Sequence, residues 1–211
     1  MELDSLRREY KFDELSRKSI SKSPFKQFET WLNEAVKSKT FEPNAMSVAT
    51  VGPDGFPQSR MVLLKYFDEN GFIFFTSYKS EKGKAIAANP KVALSFFWPE
   101  LERQVRITGF AEKTSEEQSE TYFKLRPVTS QIAAIVSKQS VEIPDRQYLE
   151  NQFYDLQDKL LGKPPKRPKS WGGFIVKPTK IEFWQGRESR LHDRILYERT
   201  GDEWIIKRLS P

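Results

Sequence analysis

The chain has no cysteine, which excludes disulfides, thiolate metal sites and cysteine nucleophiles. Its one histidine, His192, leaves no imidazole cluster for zinc or iron. No apolar run is long enough to span a bilayer, and no signal-peptide pattern opens the chain. A soluble, cytoplasmic protein without a membrane partner is therefore expected. Internal repeats and low-complexity tracts are also missing, which argues against a solenoid or a linker-rich architecture.

What is present points to a folded domain. Aromatic residues make up 13% of the 211 residues, enough to supply a core, while 37% hydrophobic and 30% charged content is somewhat polar for a monomer. A partner is expected to finish the core. The net charge of +6 fits either a polyanion or small phosphorylated ligands held by arginines, and charge alone does not choose between them.

Residues 1–23 are polar and basic and read as a flexible arm or lid, with 24–211 as one domain. Pro24 opens a helix with Phe25, Phe28, Trp31, Leu32, Ala35 and Val36 at helical spacing. Strands over 45–51 and 58–67, separated by Gly52-Pro53-Asp54-Gly55, and a third over 72–76 predict an antiparallel meander. Ser80 caps a short helix stopped at Asn89-Pro90, and 92–98 with 104–112 reads as a further hairpin. Helical pieces follow over 115–125, 129–136 and 148–161, the last with Leu149, Phe153, Leu156 and Leu160 on one face. Strands over 171–176, 181–184, 194–199 and 203–209 close the chain. Many short antiparallel strands with helices around them predict a closed or nearly closed β-barrel.

The stretch I-E-F-W-Q-G-R-E-S-R-L-H-D-R, residues 181–194, is the strongest candidate for chemistry. Arg190, His192 and Arg194 fall at every second position, so an extended chain would put all three on one face, where crowded positive charge invites an anion. A solvated, aggregation-blocking edge strand gives the same pattern. Arg60 and Lys65 flank an apolar run; in a regular strand they point to opposite faces roughly 16 Å apart and serve different anions or different parts of one ligand. Lys82 stands where the capped helix begins, a ready phosphate site. Tyr122, Arg126 and Ser130, spaced four and four across Arg126-Pro127, can converge on one oxyanion with the arginine fork as the clamp. Ser137-Lys138-Gln139-Ser140 reads as a loop or a set of donors, and Gln104 as an exposed strand residue or a partner for a planar heterocycle.

The runs Arg7-Arg8-Glu9-Tyr10, residues 60–65, Arg103-Gln104-Val105, Tyr122 with Arg126-Pro127, Ser130-Gln131, residues 137–140, Trp171-Gly172-Gly173 and Phe183-Trp184-Gln185-Gly186 through Arg190-Leu191-His192-Asp193-Arg194 resemble the pyridoxine/pyridoxamine 5′-phosphate oxidase family. The likeness spans nearly the whole chain in the family's order. It implies a mainly β (α+β) fold, an antiparallel split β-barrel with surrounding helices, forming a homodimer with FMN in two interface clefts. It further implies FMN phosphate and ribityl contacts from Arg60, Lys82, Gln139 and Ser140, with Met61, Val62, Leu63, Leu64, Lys65, Phe75 and Thr76 lining the cofactor. Gln104, Trp184 and Arg194 would meet the isoalloxazine ring. Lys65, Tyr122, Arg126 and Ser130 would hold the substrate phosphate, Arg190, Leu191 and His192 would face the pyridine ring, and Arg7, Arg8, Glu9 and Tyr10 would cover it. An interface site makes Gln139 and Ser140 candidates to come from the opposite chain to Arg60. Two departures stand out: Glu81 where many members are basic, so that only its backbone is expected to contribute, and Phe75 where some have tyrosine.

The reaction so implied oxidises pyridoxine 5′-phosphate and pyridoxamine 5′-phosphate to pyridoxal 5′-phosphate by hydride transfer from C4′ to flavin N5. Arg190 and His192 assist proton loss, Arg194 favours anionic reduced flavin, and O2 is reduced to hydrogen peroxide. The alternatives are another FMN-binding split-barrel oxidoreductase, such as a flavin reductase, or a basic barrel for single-stranded nucleic acid. The scatter of the arginines over distinct elements argues against the last.

Overall fold

The computed structural model describes residues 9–10 and 13–211. Helix α1 (Pro24–Lys37) starts where the Ser23 hydroxyl accepts the Lys26 amide and Pro24 occupies the first turn. Among the described residues, nine antiparallel strands follow, interleaved with four more helices: β1 (Ala45–Val51), β2 (Pro57–Leu63), β3 (Tyr66–Asp68), β4 (Gly71–Ser77), α2 (Glu81–Ala88), β5 (Lys91–Trp98), β6 (Arg103–Lys113), α3 (Glu116–Leu125), α4 (Val128–Val136), α5 (Arg146–Leu160), β7 (Trp171–Gln185), β8 (Asp193–Thr200) and β9 (Glu203–Leu209).

The strands run in the order β2-β1-β5-β6-β7-β4-β3, with β8 on β7 and β9 on β8. The expected single strand over 58–67 is two strands, broken at Leu64 and Lys65, and the predicted meander is not continuous. Leu64 donates its amide to Asn44 O beside β1, while Lys65 donates to Ile73 O in β4. Adjacent residues thus bond to opposite ends of the strand path, which is only possible if the sheet curls round until its ends meet. No ladder joins β2 to β3 or β4 among the described residues, so the barrel is closed by the chain and left open in its hydrogen bonding.

A second opening comes from β7, which is one long strand where two were expected. β6 pairs along its length; on its other edge, residues 171–176 pair with β4 and residues 180–185 pair with β8. The division falls at Pro178, which has no amide to give, and at a bulge opposite Thr108 and Gly109 that leaves Thr179 as the extra residue. A Cβ at Gly109 would lie 2.1 Å from Lys177 O, so the bulge demands glycine there. The result is a split barrel.

Its interior is aromatic. Phe28 of α1 meets Phe67, Phe72 and Phe96, each at 5.0 Å between centroids, and Trp31 meets Phe183 at 5.2 Å. Phe28 is fully buried, so truncating it to alanine would cost about 3–5 kcal/mol. The chain before α1 is fastened: Leu15 is 4% exposed and belongs to the core, where the sequence placed the whole of 1–23 outside it. By contrast, α5 has no buried residue, and its face of Leu149, Phe153, Leu156 and Leu160 is only half-covered within one chain. No described helix is long and apolar enough to cross a membrane.

Candidate active site

Three clusters contain the candidate residues. The first lies where β4 runs into α2. Ser80 caps α2 by accepting the Gly83 amide, which turns the buried Lys82 back so that its Nζ donates to Thr76 Oγ1 at 3.3 Å. Thr76 Oγ1 in turn donates to Gln139 Oε1 at 3.1 Å, and the Glu81 amide donates to Ser140 Oγ at 3.3 Å. Glu81 itself is exposed and reaches this cluster through its backbone. Gln139 and Ser140 therefore join Thr76 and Lys82 of their own chain, contrary to the expectation that they would come from the chain opposite Arg60. Burial and then the nearby Arg60 guanidinium hold the Lys82 ammonium below its usual range. Arg60 donates to Val48 O, Thr50 Oγ1, Gln58 O and Gln58 Oε1, all neutral acceptors. Glu81 offsets the Lys82 shift only in part, and no carboxylate among the described residues forms an ion pair with either cation, so the pair can hold an anion.

Within the apolar run that follows Arg60, alternation divides the side chains. Met61 is exposed, whereas Val62 packs against the core and Leu64 is 4% exposed inside it. Leu64 can offer a ligand only backbone, Val62 is partly buried, and the break after Leu63 removes the regular-strand geometry expected to separate Arg60 from Lys65.

The second cluster forms around the bend between α3 and α4. Gln131 secures the bend by donating Nε2 to Arg126 O at 2.8 Å. Tyr122 stacks on Phe75 at 4.0 Å, and Tyr66, the neighbour of Lys65, packs edge-on to Tyr122 at 5.9 Å. The Arg126 guanidinium lies 4.7 Å from the Trp171 ring centroid, and its buried Nη1 has no hydrogen-bond partner among the described residues. Burial lowers the Arg126 pKa and raises that of Tyr122, while each group opposes the other's shift. A buried guanidinium nitrogen without an acceptor is costly, and an incoming anionic oxygen would relieve it. Ser130 is half-buried in the first turn of α4. Trp171 was in a recognised motif without an assigned role; only the fold shows that it is the platform under Arg126.

The third cluster is a row across three strands: Gln104 on β6 faces Trp184 on β7, which faces Arg194 on β8. Their sequence neighbours Val105, Phe183 and Ile195 are fully buried, so this row points away from the barrel interior. Glu182 grips Arg194 with both oxygens, at 2.8 and 3.2 Å, and these bonds raise the Arg194 pKa. Sequence reading missed Glu182, whose role shows only once β7 and β8 are paired.

The expected sharing of one strand face by Arg190, His192 and Arg194 is not what forms. Glu188–Arg190 is a 3-10 turn, Ser189 and Arg190 take left-handed φ values of 55° and 59°, and β8 begins only at Asp193. The exposed Arg190 and Leu191 leave the strand row, while His192 turns onto Trp184 at 4.7 Å. Tyr10 completes the group, 5.6 Å from Trp184 and 5.5 Å from His192. Glu9 is exposed beside it; Arg7 and Arg8 lie outside the described residues. His192 Nδ1 accepts the Arg187 amide at 3.1 Å, so the neutral ring carries its proton on Nε2. Burial, then Arg190, lowers its pKa.

Within one chain the first and third clusters lie on different faces of the sheet. Arg60 is in register with Val48, Leu94, Ile107 and Ile181, all facing the core, whereas Trp184 faces out.

Residues 32–158 match the family profile described as pyridoxamine 5′-phosphate oxidase, and residues 171–211 match the pyridoxine 5′-phosphate oxidase C-terminal dimerisation region. A pyridoxine/pyridoxamine 5′-phosphate oxidase of Gloeothece citriformis is 52% identical over 207 residues, covering 98% of this chain and 97% of that protein. One of the same name from Aliarcobacter butzleri is 52% identical over 212 residues and covers both chains completely. Among solved structures, PhzG from Burkholderia lata, in complex with tetrahydrophenazine-1-carboxylic acid, aligns with a TM-score of 0.89 at 30% identity over 94% of this chain and 98% of its own. By profile and by full-length relatives, the chain belongs to the pyridoxamine 5′-phosphate oxidase family.

Proposed function

We propose that this protein oxidises pyridoxine 5′-phosphate and pyridoxamine 5′-phosphate to pyridoxal 5′-phosphate, using FMN held between two copies of the chain and O2 as the final acceptor. The observation that carries the reading is the unpaired, buried Nη1 of Arg126 over Trp171, a built anion site separate from the Arg60/Lys82 site. Two phosphorylated molecules need two such sites.

The first cluster fits the phosphate tail of FMN: two cations without an ion-pair partner among the described residues, the Thr76 and Ser140 hydroxyls and the Gln139 amide. Gln104, Trp184 and Arg194 offer a polar edge, an aromatic face and a cation to its ring system. Because Arg60 and Trp184 occupy opposite faces of one sheet, a cofactor that meets both sets must lie across two chains, which the matched dimerisation region supports. When bound, FMN supplies the two-electron acceptor that no side chain here provides.

The remaining work belongs to the chain's own groups. Arg126, Tyr122, Ser130 and Lys65 anchor the substrate phosphate, so binding energy from the tail orients C4′ at the other end. His192 presents a proton on Nε2, since the Arg187 amide occupies Nδ1. It therefore acts as a hydrogen-bond donor to the substrate ring or its C4′ substituent, which is how it would orient the ring. Burial and then the Arg190 charge lower the pKa of that imidazole, and Tyr10 shields the ring from water. Overall, the alcohol loses two electrons and two protons, O2 gains them as hydrogen peroxide, and the amine substrate additionally takes up water and releases ammonia.

The test is the visible spectrum of the protein purified with FMN, followed by anaerobic addition of pyridoxine 5′-phosphate. Bleaching of the flavin band with formation of the aldehyde supports the reading. A yellow protein that neither bleaches with this substrate nor with pyridoxamine 5′-phosphate overturns it.

A further inference from the structure

Asp193 stands between His192 and Arg194, yet its carboxylate is engaged with the opposite end of the chain. Oδ2 accepts the Leu15 amide at 3.0 Å, Oδ1 takes Arg208 Nη1 at 2.5 Å, and Arg187 Nε lies 3.8 Å from Oδ2. Arg208 also donates Nη2 to Leu15 O at 2.8 Å, so one ion pair satisfies both backbone polar groups of a residue whose side chain is in the core. Two residues earlier, Asp13 is held through its carboxylate by Arg103 at 2.9 Å and through its carbonyl by Arg187 Nη1 at 3.1 Å.

These ties fix the chain at a short remove from Tyr10. Three residues span at most about 10 Å, so the position of Asp13 confines Tyr10 to the neighbourhood of Trp184 and His192. Close packing does not do this alone: a cavity of about 660 Å³ lies beside the segment, lined by Tyr10, Asp13, Leu15, Asp193 and Arg208 among others. Against that open space, the polar ties decide where the segment rests. Asp193 has a 16% exposed side chain, so its charge-assisted bonds are only partly screened.

We propose that Asp193 is a positioning residue: through Leu15 and Arg208 it holds the N-terminal segment so that Tyr10 closes over the substrate ring. This rests on the reading above that Tyr10 covers the substrate. It makes Asp193 a residue whose loss is felt in substrate binding, although its sequence neighbours belong to the flavin and ring contacts.

The experiment is a double-mutant cycle on the FMN-loaded protein with Asp193→Asn and Tyr10→Ala, reading KM and kcat for pyridoxine 5′-phosphate and the dissociation constant for FMN. Asn keeps the size and one acceptor but loses the charge that holds Arg208 and Arg187. The expected result is a rise in KM of about tenfold for each single variant, little further rise in the double variant, and FMN affinity within about twofold of the parent. Additive effects, an unchanged KM in Asp193→Asn, or a loss confined to FMN affinity or kcat would each overturn the inference, since Asp193 would then act through its own strand. If Asp193→Asn does not fold, Arg208→Gln breaks the same ion pair from the other side and carries the same expectations. Tyr10→Ala with an unchanged KM would sink the covering role of Tyr10 and this inference with it; a clear Tyr10 effect with additive Asp193 sinks the inference alone.

Discussion

The Arg126 guanidinium lies over the Trp171 indole at 4.7 Å from the ring centroid, and its buried Nη1 finds no acceptor among the described residues. The Trp171 and Phe123 rings make its environment apolar, and the side chain as a whole is only half-buried. Arg126→Ala should therefore raise KM for the phosphorylated substrates by about 10- to 100-fold, the worth of one or two charged hydrogen bonds, with FMN affinity unchanged. Arg126→Lys should recover little of it, because a point charge replaces a stacked fork. Steady-state kinetics beside FMN titration checks this; equal loss of both affinities contradicts the separation of the two anion sites.

Lys82 is 6% exposed and sits beside Arg60, so without an anion its charge opposes folding. Lys82→Met should leave the FMN-free protein as stable or more stable, while weakening FMN binding by about tenfold or more. The sign with pH follows from its lowered pKa: the unfolded chain binds the extra proton, so the penalty is complete below the folded pKa and disappears as pH rises to 10.5. The stability gap between Lys82→Met and the parent, measured by denaturant unfolding of apoprotein, should close over that range.

His192 donates from Nε2 if the Arg187 amide holds Nδ1. Glutamine places an amide nitrogen near the same point, whereas alanine leaves none. His192→Gln should keep more of the flavin reduction rate than His192→Ala in a stopped-flow measurement, with both proteins still yellow. Burial and Arg190 lower the His192 pKa from 6.5, and since the ring donates from Nε2 whether neutral or protonated, the parent's rate should not drop when the imidazole takes up its second proton. A glutamine variant as slow as alanine would return His192 to a proton-accepting role.

Gly186 lies directly under Tyr10: a Cβ there would sit 2.7 Å from Tyr10 Cγ and 2.9 Å from its Cβ. Those atoms are close to the backbone and cannot swing aside without moving the segment. Gly186→Ala should raise KM by about the same factor as Tyr10→Ala and leave the melting temperature within a few degrees, since the strain falls on the segment near the N-terminus. Thermal unfolding with substrate titration tests both parts.

Helix α1, the β1–β2 and β5–β6 hairpins and the capped α2 were legible because each follows from neighbours in the chain: Ser23 and Pro24, Gly52-Pro53-Asp54-Gly55, Ser80 with Asn89-Pro90. The types of residue needed for two phosphates and a flat ring were equally plain, through the family resemblance and through Tyr122, Arg126 and Ser130 at helical spacing. The failures share one cause. Alternation over residues 190–194 predicts a strand only if every φ is negative, and the left-handed Ser189 and Arg190 break that assumption. The continuity of β7 past Pro178 depends on β6 carrying it across a bulge, which no local pattern encodes.

The sequence by itself determined the local elements, the absence of cysteine chemistry and the supply of cations, because propensity, capping and composition act over a few residues. Tertiary structure decided which cations remain unpaired and which are neutralised: Arg194 is claimed by Glu182, twelve residues away, while Arg126 is left with an empty nitrogen. It also decided that Gln139 stands by Thr76 and that Leu15 is tied to Asp193, contacts separated by 63 and 178 positions. Such pairings are settled by the closure of the sheet and by the cost of leaving buried polar groups unmet, quantities that belong to the packed chain and to no segment of it.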